Sequence, residues 1–394
     1  MSPRTSLDSA LNIADLRALA KRRMPKVIFD YLERGSEDEH TFHRNRAAFE
    51  RYALVPKIVS GHKKRDLSVT LFGDKLASPW IVGPTGLNGI FWRGADIALA
   101  RATARAGGVF TLGTAASTSI EDLAAASDGV KWFQLYPWAD RKVWARLMQR
   151  AQDAGYRALM VTVDTLVPGN REQDRRNHFA HNVNYTPKVI LDGLLHPRWL
   201  AGVWLNGPRP RTENVTEFVG QNATAAELAD YSRRTRNADL SWDDLEWMRA
   251  QWDGPFLIKG VLHPDDAIRA ANMGFDGVVV SNHGGRQLDQ AISTLEALPP
   301  ILDAVGKRMT VIVDGGFRRG TDAVKALALG AKAVLLGRAP LYGVSAAGEA
   351  GADHALAILN AETERVLALL GCGSVRELGR DFIREVPPIR QTLT

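Results

Sequence analysis

Eight short apolar runs rich in residues that favour β-strands recur along the chain, and most are followed by a polar or glycine-rich loop and then by a helical pattern. The runs cover residues 80–82, 109–112, 132–135, 158–161, 256–258, 277–280, 310–313 and 333–336. Strand, loop and helix repeated eight times predict an α/β protein with a closed (β/α)8 TIM barrel. An open, doubly wound sheet is the alternative, but it usually carries a glycine-rich dinucleotide turn, and the sequence has no G-x-G-x-x-G.

The spacing of the runs predicts a single domain over residues 1–394 with two additions to the barrel. Residues 1–75 are predicted to be an N-terminal helical segment and lead-in, with helix over most of residues 11–56. The gap between the fourth and fifth runs is about three times as long as the other gaps, which predicts an insertion at residues 177–241. Loops at this end of a barrel cover the active site, so a lid is one interpretation.

The middle of the insertion has an unusual composition. Residues 189–205 mix aliphatic side chains with two tryptophans and Arg198, and Lys188, Arg209 and Arg211 flank them. This segment is too short and too interrupted to span a bilayer, but its composition suits a membrane interface. A lid or an oligomer contact that buries the same residues is the alternative.

Composition narrows the classes of function. The formal net charge of +6 favours anionic substrates, phosphate groups or an anionic membrane surface, and the lack of a long basic run with aromatics argues against nucleic acid. Cys372 is the only cysteine and the first residues lack a long apolar run, so we expect a reducing compartment and no secretion. No histidine or cysteine spacing typical of a metal site occurs, so none is predicted.

The segment after the sixth run carries the strongest chemical signal. His283 and Arg286 lie three residues apart with two glycines between them. A base that takes a proton near neutral pH therefore lies beside a fixed cation that can bind a carboxylate. This pair suits proton removal from a substrate that carries its own carboxylate. Asp164, after the fourth run, could orient the imidazole and stabilise its charged form.

Polar residues follow the other runs as well. Glycine-rich turns with Arg318 and Arg338 follow the seventh and eighth runs and predict a phosphate site. Lys259 ends an apolar strand, so its ammonium would lose water unless it met an anion or a polar ring. A phosphate site opposite this lysine fits flavin mononucleotide (FMN); a sugar phosphate is the alternative, and a Schiff-base lysine is a third interpretation.

These motifs resemble those of the FMN-dependent 2-hydroxy acid dehydrogenases and oxidases, and the resemblance runs from about Leu16 to Gly373. It rests on the segments at residues 133–136, 162–165, 257–260, 281–289 and 314–322. Within the family, the segments at residues 83–89, 191–199 and 341–343 are most similar to the (S)-mandelate dehydrogenase type.

The resemblance implies a role for each candidate residue. His283 would be the base, with Asp164 as its partner, and Tyr136 would contact the substrate hydroxyl. The substrate carboxylate would be bound by Arg286, Arg171 and Tyr31. The flavin would be contacted by Thr85, Gln134, Thr162, Lys259, Ser281 and Asp314. The phosphate would be bound by Gly316, Arg318, Gly337 and Arg338.

Two departures from the family pattern bear on cofactor and substrate. Many relatives carry a serine where this chain has Gly113, so one hydrogen bond to the flavin would be lost or moved to the backbone. Glycolate-type enzymes have a tryptophan where this chain has Ala115. A small residue there leaves room for a large substituent, which favours an aryl 2-hydroxy acid such as mandelate.

The insertion bears on the electron acceptor and the location. In mandelate-type enzymes it docks on the membrane, and residues 177–215 are similar to it, so the resemblance favours docking over a soluble lid. Docking in turn implies a membrane quinone as the electron acceptor and a location on the cytoplasmic side, as a peripheral protein of the inner membrane. The family resemblance also implies a homotetramer. The alternatives are an L-lactate dehydrogenase, a soluble oxidase that uses oxygen and, more distantly, a Schiff-base lyase.

Overall fold

Eight parallel strands close into a barrel in the computed structural model, which describes residues 7–138, 140–179 and 186–387. Each strand pairs with the next in chain order, and the eighth returns to pair with the first. The predicted (β/α)8 barrel is therefore confirmed and the open sheet is wrong. The strands are β1 (Trp80–Val82), β2 (Val109–Gly113), β3 (Val130–Leu135), β4 (Ala158–Thr162), β5 (Phe256–Val261), β6 (Gly277–Val280), β7 (Thr310–Val313) and β8 (Ala333–Leu336).

Three helices precede the barrel, as predicted: α1 (Ile13–Arg23), α2 (Lys26–Glu33) and α3 (His40–Ala47). The helical prediction was wrong at its end, because Tyr52–Leu54 forms a strand that pairs antiparallel with Ile383–Glu385. The partner strand is more than three hundred residues away in sequence, so no local pattern could reveal this pairing.

A short hairpin of Val69–Leu71 and Asp74–Leu76 covers the end of the barrel where the strands begin. Its Phe72 ring lies 5.7 Å from the ring of Trp132, between centroids. This end is filled with apolar side chains, which leaves the opposite end, where the strands finish, for a polar site.

Helices surround the barrel, and several short ones form the insertion after β4. The insertion begins with α7 (Glu172–Arg176) and runs to the start of α12, so it is a helical excursion rather than an irregular loop. The predicted segment 180–185 within it lies outside the described residues. The helices are α4 (Ala95–Arg105), α5 (Ile120–Ala126), α6 (Arg141–Asp153), α7, α8 (Pro187–Leu194), α9 (Pro197–Trp199, continued by a π-helical turn over Leu200–Leu205), α10 (Thr216–Val219), α11 (Ala225–Arg234), α12 (Trp242–Ala250), α13 (Pro264–Asn272), α14 (Thr294–Val305), α15 (Gly320–Leu329) and α16 (Arg338–Leu370).

Local sequence explains where several of these helices begin. Thr224, Ser241 and Ser293 each cap a helix, and the carboxylate three positions later accepts a hydrogen bond from the backbone N–H of the cap residue. These capping boxes satisfy backbone N–H groups that would otherwise lack partners, and each contributes about 1 kcal/mol. Among the described residues, no helix is both long enough and apolar enough to cross a bilayer.

Helix α16 is bent in the middle, and its two halves touch through glycines. Backbone angles leave the helical range at Ala347 and Gly348. A Cβ atom at Gly351 would lie 1.9 Å from the carbonyl oxygen of Gly343, and one at Gly343 would lie 2.2 Å from the carbonyl oxygen of Gly351. Only glycine at both positions permits this approach.

We expect Gly351→Ala to lower the free energy of unfolding by about 1–3 kcal/mol, because the added methyl group overpacks a backbone contact that cannot yield. Urea denaturation followed by circular dichroism measures the change. Gly193→Ala in α8 is the control, since a Cβ there meets no atom within 4 Å. Equal losses in the two variants would contradict the close contact.

Candidate active site

A cavity of about 680 Å³ opens at the end of the barrel where the strands finish. Its walls come from the loops after the barrel strands, from α2 and from the insertion helix α11. Twelve of the predicted site residues line it, while Asp164, Gln134, Thr162 and Ser281 lie behind them. The twelve are Tyr31, Thr85, Tyr136, Arg171, Lys259, His283, Arg286, Asp314, Gly316, Arg318, Gly337 and Arg338.

His283 is held by the carboxylate that the sequence proposed as its partner. Its Nδ1 atom lies 3.0 Å from Oδ1 of Asp164, and its Nε2 atom lies 3.4 Å from the hydroxyl of Tyr136. Because Nδ1–H donates to Asp164, Nε2 carries the lone pair and faces the cavity. Burial lowers the pKa of His283, and the opposing effect of Asp164 does not overcome it. The imidazole is therefore neutral near pH 7 and can accept a proton.

Asp164 stays ionised although it is buried. Burial raises its pKa, but the interaction with His283, which includes a hydrogen bond, and the positive charge of Lys259 outweigh this effect, so the pKa lies below its usual value. An ionised carboxylate at this position stabilises the imidazolium that forms when His283 takes a proton.

Lys259 belongs to a buried chain of polar groups below the cavity. Its Nζ donates to Oγ of Ser281 at 2.9 Å, and that hydroxyl donates to Asp314 at 2.8 Å. Burial would lower the pKa of Lys259, but the carboxylates of Asp314 and Asp164 raise it above the usual value. A Schiff base needs a neutral amine, so a lysine held as an ammonium ion argues against the lyase interpretation.

Several buried polar atoms near the strand ends have no hydrogen-bond partner among the described residues, among them Nε2 of Gln134, Oγ1 of Thr162 and Oδ1 of Asp314. Gln134 is the last but one residue of β3, Thr162 ends β4 and Asp314 follows β7. Buried polar groups left unpaired each cost about 1–3 kcal/mol, so they indicate a polar ligand. A flavin ring and its ribityl chain offer matching donors and acceptors, so the residues present fit FMN.

The predicted phosphate site also has a suitable shape. Gly337 directly precedes α16, and a Cβ atom there would meet no atom within 4 Å, so its backbone borders open space. A helix N-terminus with exposed N–H groups favours an anion. Arg318 donates to the Phe317 carbonyl at 2.7 Å and lines the same part of the cavity.

Two arginines of the site, Arg286 and Arg338, are anchored to the carbonyl end of α2. Arg286 donates to the backbone oxygens of Tyr31 at 2.9 Å and Arg34 at 2.8 Å. Arg338 donates to the backbone oxygens of Leu32, Arg34 and Gly284. The helix presents free carbonyl groups and negative dipole there, which suits guanidinium groups. No pattern in the sequence predicts this anchor.

Gly285 allows the loop after β6 to reach this anchor. Its φ is +75°, and a Cβ atom would lie 2.6 Å from the backbone nitrogen of Phe42. Its carbonyl accepts a hydrogen bond from the backbone of Ser36 at 2.9 Å. The close approach of the backbone, as well as the turn itself, therefore requires a glycine at position 285.

Sequence reasoning missed several residues that line the cavity, and two of them, Trp138 and Arg236, bear on its chemistry. Trp138 stacks on Tyr136 with ring centroids 5.1 Å apart and forms a wall beside Ala115. Arg236 enters from the turn after α11. Trp138 follows Tyr136 by two residues and could have been found, whereas Arg236 lies in the insertion, where no strand-end rule applies. Among the described residues, no group of three or more histidine, cysteine or acidic side chains could hold a metal ion.

Solved structures resemble this chain over nearly its whole length. It superposes on the crystal structure of the monotopic membrane protein (S)-mandelate dehydrogenase with a TM-score of 0.92 and 43% identity, covering 96% of this chain and all of that one (100%). It also superposes on a mandelate oxidase mutant with (S)-mandelic acid, with a TM-score of 0.81 and 34% identity, covering 96% of this chain and 99% of that one.

Sequence relatives agree with the solved structures. The chain is 44% identical over 374 residues to the (S)-mandelate dehydrogenase of Pseudomonas putida, covering 95% of this chain and 93% of that protein. It is 40% identical over 372 residues to an L-lactate dehydrogenase of Pectobacterium atrosepticum, covering 94% and 96%. The profile of the FMN-dependent dehydrogenases matches residues 20–385. The predicted family is confirmed: this chain belongs to the FMN-dependent dehydrogenases, oxidoreductases that act on 2-hydroxy acids.

Proposed function

We propose that this enzyme oxidises (S)-mandelate or another aryl-substituted (S)-2-hydroxy acid to the 2-oxo acid and passes the electrons to a membrane quinone. The proposal rests chiefly on one observation, the neutral His283 that faces the cavity beside Tyr136 and is held by Asp164. The 44% identity to an (S)-mandelate dehydrogenase supports the choice of substrate. L-lactate is the second candidate, because a relative of that name is 40% identical.

Carboxylate binding and proton transfer are assigned to different residues of the cavity wall. Arg286, Arg171 and Tyr31 bind its carboxylate, and all three line the cavity. Nε2 of His283 takes the proton. The hydroxyl of Tyr136, 3.4 Å from that nitrogen, donates to the oxygen of the substrate.

FMN, when bound, supplies an acceptor for the two electrons that leave the substrate. Lys259 would provide a fixed positive charge to this group, which would stabilise added negative charge without reorganisation. The remaining contacts are assigned to Thr85, Gln134, Thr162, Ser281 and Asp314. The phosphate is assigned to Gly316, Arg318, Gly337 and Arg338.

An aryl side chain suits the wall beside the assigned binding residues. Ala115 and Trp138 both line the cavity, and the small alanine leaves room beside the indole ring for a large substituent. Aromatic pairs contribute about 0.5–1.5 kcal/mol beyond the burial of their area.

We expect His283→Gln to retain FMN but to slow its anaerobic reduction by (S)-mandelate by roughly 10²–10⁴-fold, because the base is lost while the cavity keeps its shape. Stopped-flow absorbance at the flavin band measures the rate. His263→Gln is the control, since His263 is an exposed residue outside the cavity. Equal rates in wild type and His283→Gln would remove the base assignment, and failure of any (S)-2-hydroxy acid to bleach the wild type would refute the function.

The pH dependence of the reduction rate follows from the lowered pKa of His283. Only the neutral imidazole acts as base, so the rate falls as pH drops through the pKa of the folded protein, which lies below the usual value of about 6.5. Asp164→Asn removes the carboxylate that raises this pKa, so the acid limb should move to still lower pH. An acid limb of the pH–rate profile with its midpoint above about pH 6.5 would contradict the assignment of His283 as the base. A shift of that limb to higher pH in Asp164→Asn would contradict it as well.

Membrane docking is assigned to α8 and the residues after it. Leu191, Leu194 and Leu195 are 59%, 60% and 70% exposed, and Leu205 is also 70% exposed. Exposed apolar clusters of this size beside basic residues, here Lys188, suit the interface of an anionic bilayer. A solved relative is described as a monotopic membrane protein, which supports this assignment.

Replacing Leu191, Leu194 and Leu195 by serine should lower binding to anionic phospholipid vesicles by about tenfold or more per leucine, because each loses about 1.5–3 kcal/mol of burial. A flotation assay measures the binding. Leu369→Ser, at an equally exposed site in α16, is the control. Wild-type protein that fails to float would refute docking and favour a soluble oxidase that uses oxygen.

The acceptor follows from docking: a protein held at the bilayer surface can reach a quinone, whereas a soluble one would use oxygen. A homotetramer is proposed on the family resemblance.

A further inference from the structure

Arg236 is a further cation in the cavity wall. It has not been assigned to bind either the substrate carboxylate or the cofactor. It lies in the turn that follows α11 and reaches the cavity from the insertion side. Its Nη1 atom donates to the backbone oxygen of Thr165 at 3.1 Å. Its Nε atom is buried and has no partner among the described residues. The guanidinium is therefore held in place with donor capacity left over.

Four other cations of the cavity wall have anionic partners, and the rest are already assigned, Arg286 among them to the substrate carboxylate. Arg211 pairs with Glu213 at 2.9 Å and Lys259 with Asp314 at 3.4 Å. Arg171 lies 3.8 Å from Asp174, and Arg233 pairs with Asp230. Arg318 and Arg338 are assigned to the phosphate. Within the described residues, Arg236 has no carboxylate at ion-pair distance.

The surroundings of Arg236 make an unpaired charge costly. Burial lowers its pKa, and the like charge of Arg171 acts in the same direction. A partly buried cation without a counter-charge is destabilising unless a ligand supplies the anion. A site with an excess positive charge therefore favours a ligand with one more negative charge.

Arg236 adds a further positive charge beside the group that binds the first carboxylate. Arg286 and Arg171 share Asp174 as a nearby acidic group. Arg236 is carried by a different segment, the turn after α11, and donates to Thr165, while Tyr136, Arg171 and Tyr31 lie close enough to act on its charge. Small residues of α11, Ala225, Ala226 and Ala229, line the cavity on this side and leave room for a substituent.

We propose that Arg236 determines specificity by binding a second carboxylate on the side chain of the substrate. The preferred substrates are then 2-hydroxy acids, aryl ones included, whose side chain ends in a carboxylate. This inference rests on the proposed oxidation of 2-hydroxy acids and adds the charge of the substrate side chain to it.

Matched substrates that differ only in a carboxylate or a methyl group test the proposal. The pairs are (S)-mandelate with a carboxylate or a methyl at ring position 3, the same at ring position 4, and (S)-malate with (S)-2-hydroxybutyrate. The second-order rate constant of anaerobic FMN reduction is measured for each. In wild-type protein, the acidic member of at least one pair should be favoured by about tenfold or more, the effect of one charged hydrogen bond.

Two variants assign this preference to the residue. Arg236→Met should abolish the preference while the neutral members react as before. Arg236→Lys should keep part of it, since it retains the charge but not the forked geometry. Arg233→Met is the matched control, because Arg233 lines the same cavity but pairs with Asp230. FMN absorbance and thermal unfolding of each variant establish that it is folded.

Three outcomes would overturn the inference. Wild-type protein could favour the methyl member of every pair, Arg236→Met could slow both members equally, or Arg233→Met could abolish the preference as well. In each case reduction by the neutral substrates would leave the proposed oxidation intact. If none of the six compounds reduced FMN, the proposed function itself would fail.

Discussion

Charges that lose water at one end of the barrel need partners there, and the active site is built from the pairs that result. Lys259 is stabilised through Ser281 and Asp314, and His283 through Asp164. The two pairs influence each other, since the charge of Lys259 helps to keep Asp164 ionised. An ionised aspartate and a neutral histidine are the states that proton removal requires. Burial and ion pairing therefore set the protonation states of Asp164 and His283, and the chemistry depends on these states.

The N-terminal segment is part of this site rather than an appendage to the barrel. The last carbonyl groups of α2 hold Arg286 and Arg338, and Gly285 lets the loop after β6 lie directly against Phe42. The guanidinium of Arg286, which we propose to bind the substrate carboxylate, is thereby fixed before any substrate arrives. Such preorganisation reduces the entropy that binding has to overcome.

Much of this arrangement could be predicted from sequence because the barrel is repetitive. Each apolar run ends at the same rim, so residues such as Lys259 and His283 had to meet there. Tyr31 entered only through the family resemblance, because its helix precedes the barrel and obeys no strand-end rule. Arg236 could not be found, since its place depends on how the insertion folds back. The strand at Tyr52–Leu54 was missed because its partner lies at the other end of the chain.

We propose that a base at His283 removes a proton as the carbon–hydrogen bond at C2 of the substrate is broken. The most direct measurement compares anaerobic bleaching of the FMN-loaded protein by (S)-mandelate with hydrogen or deuterium at C2. We expect the flavin to bleach with both compounds and to bleach more slowly with the deuterated one, because breaking this bond accompanies reduction. Absence of bleaching with either compound would contradict it.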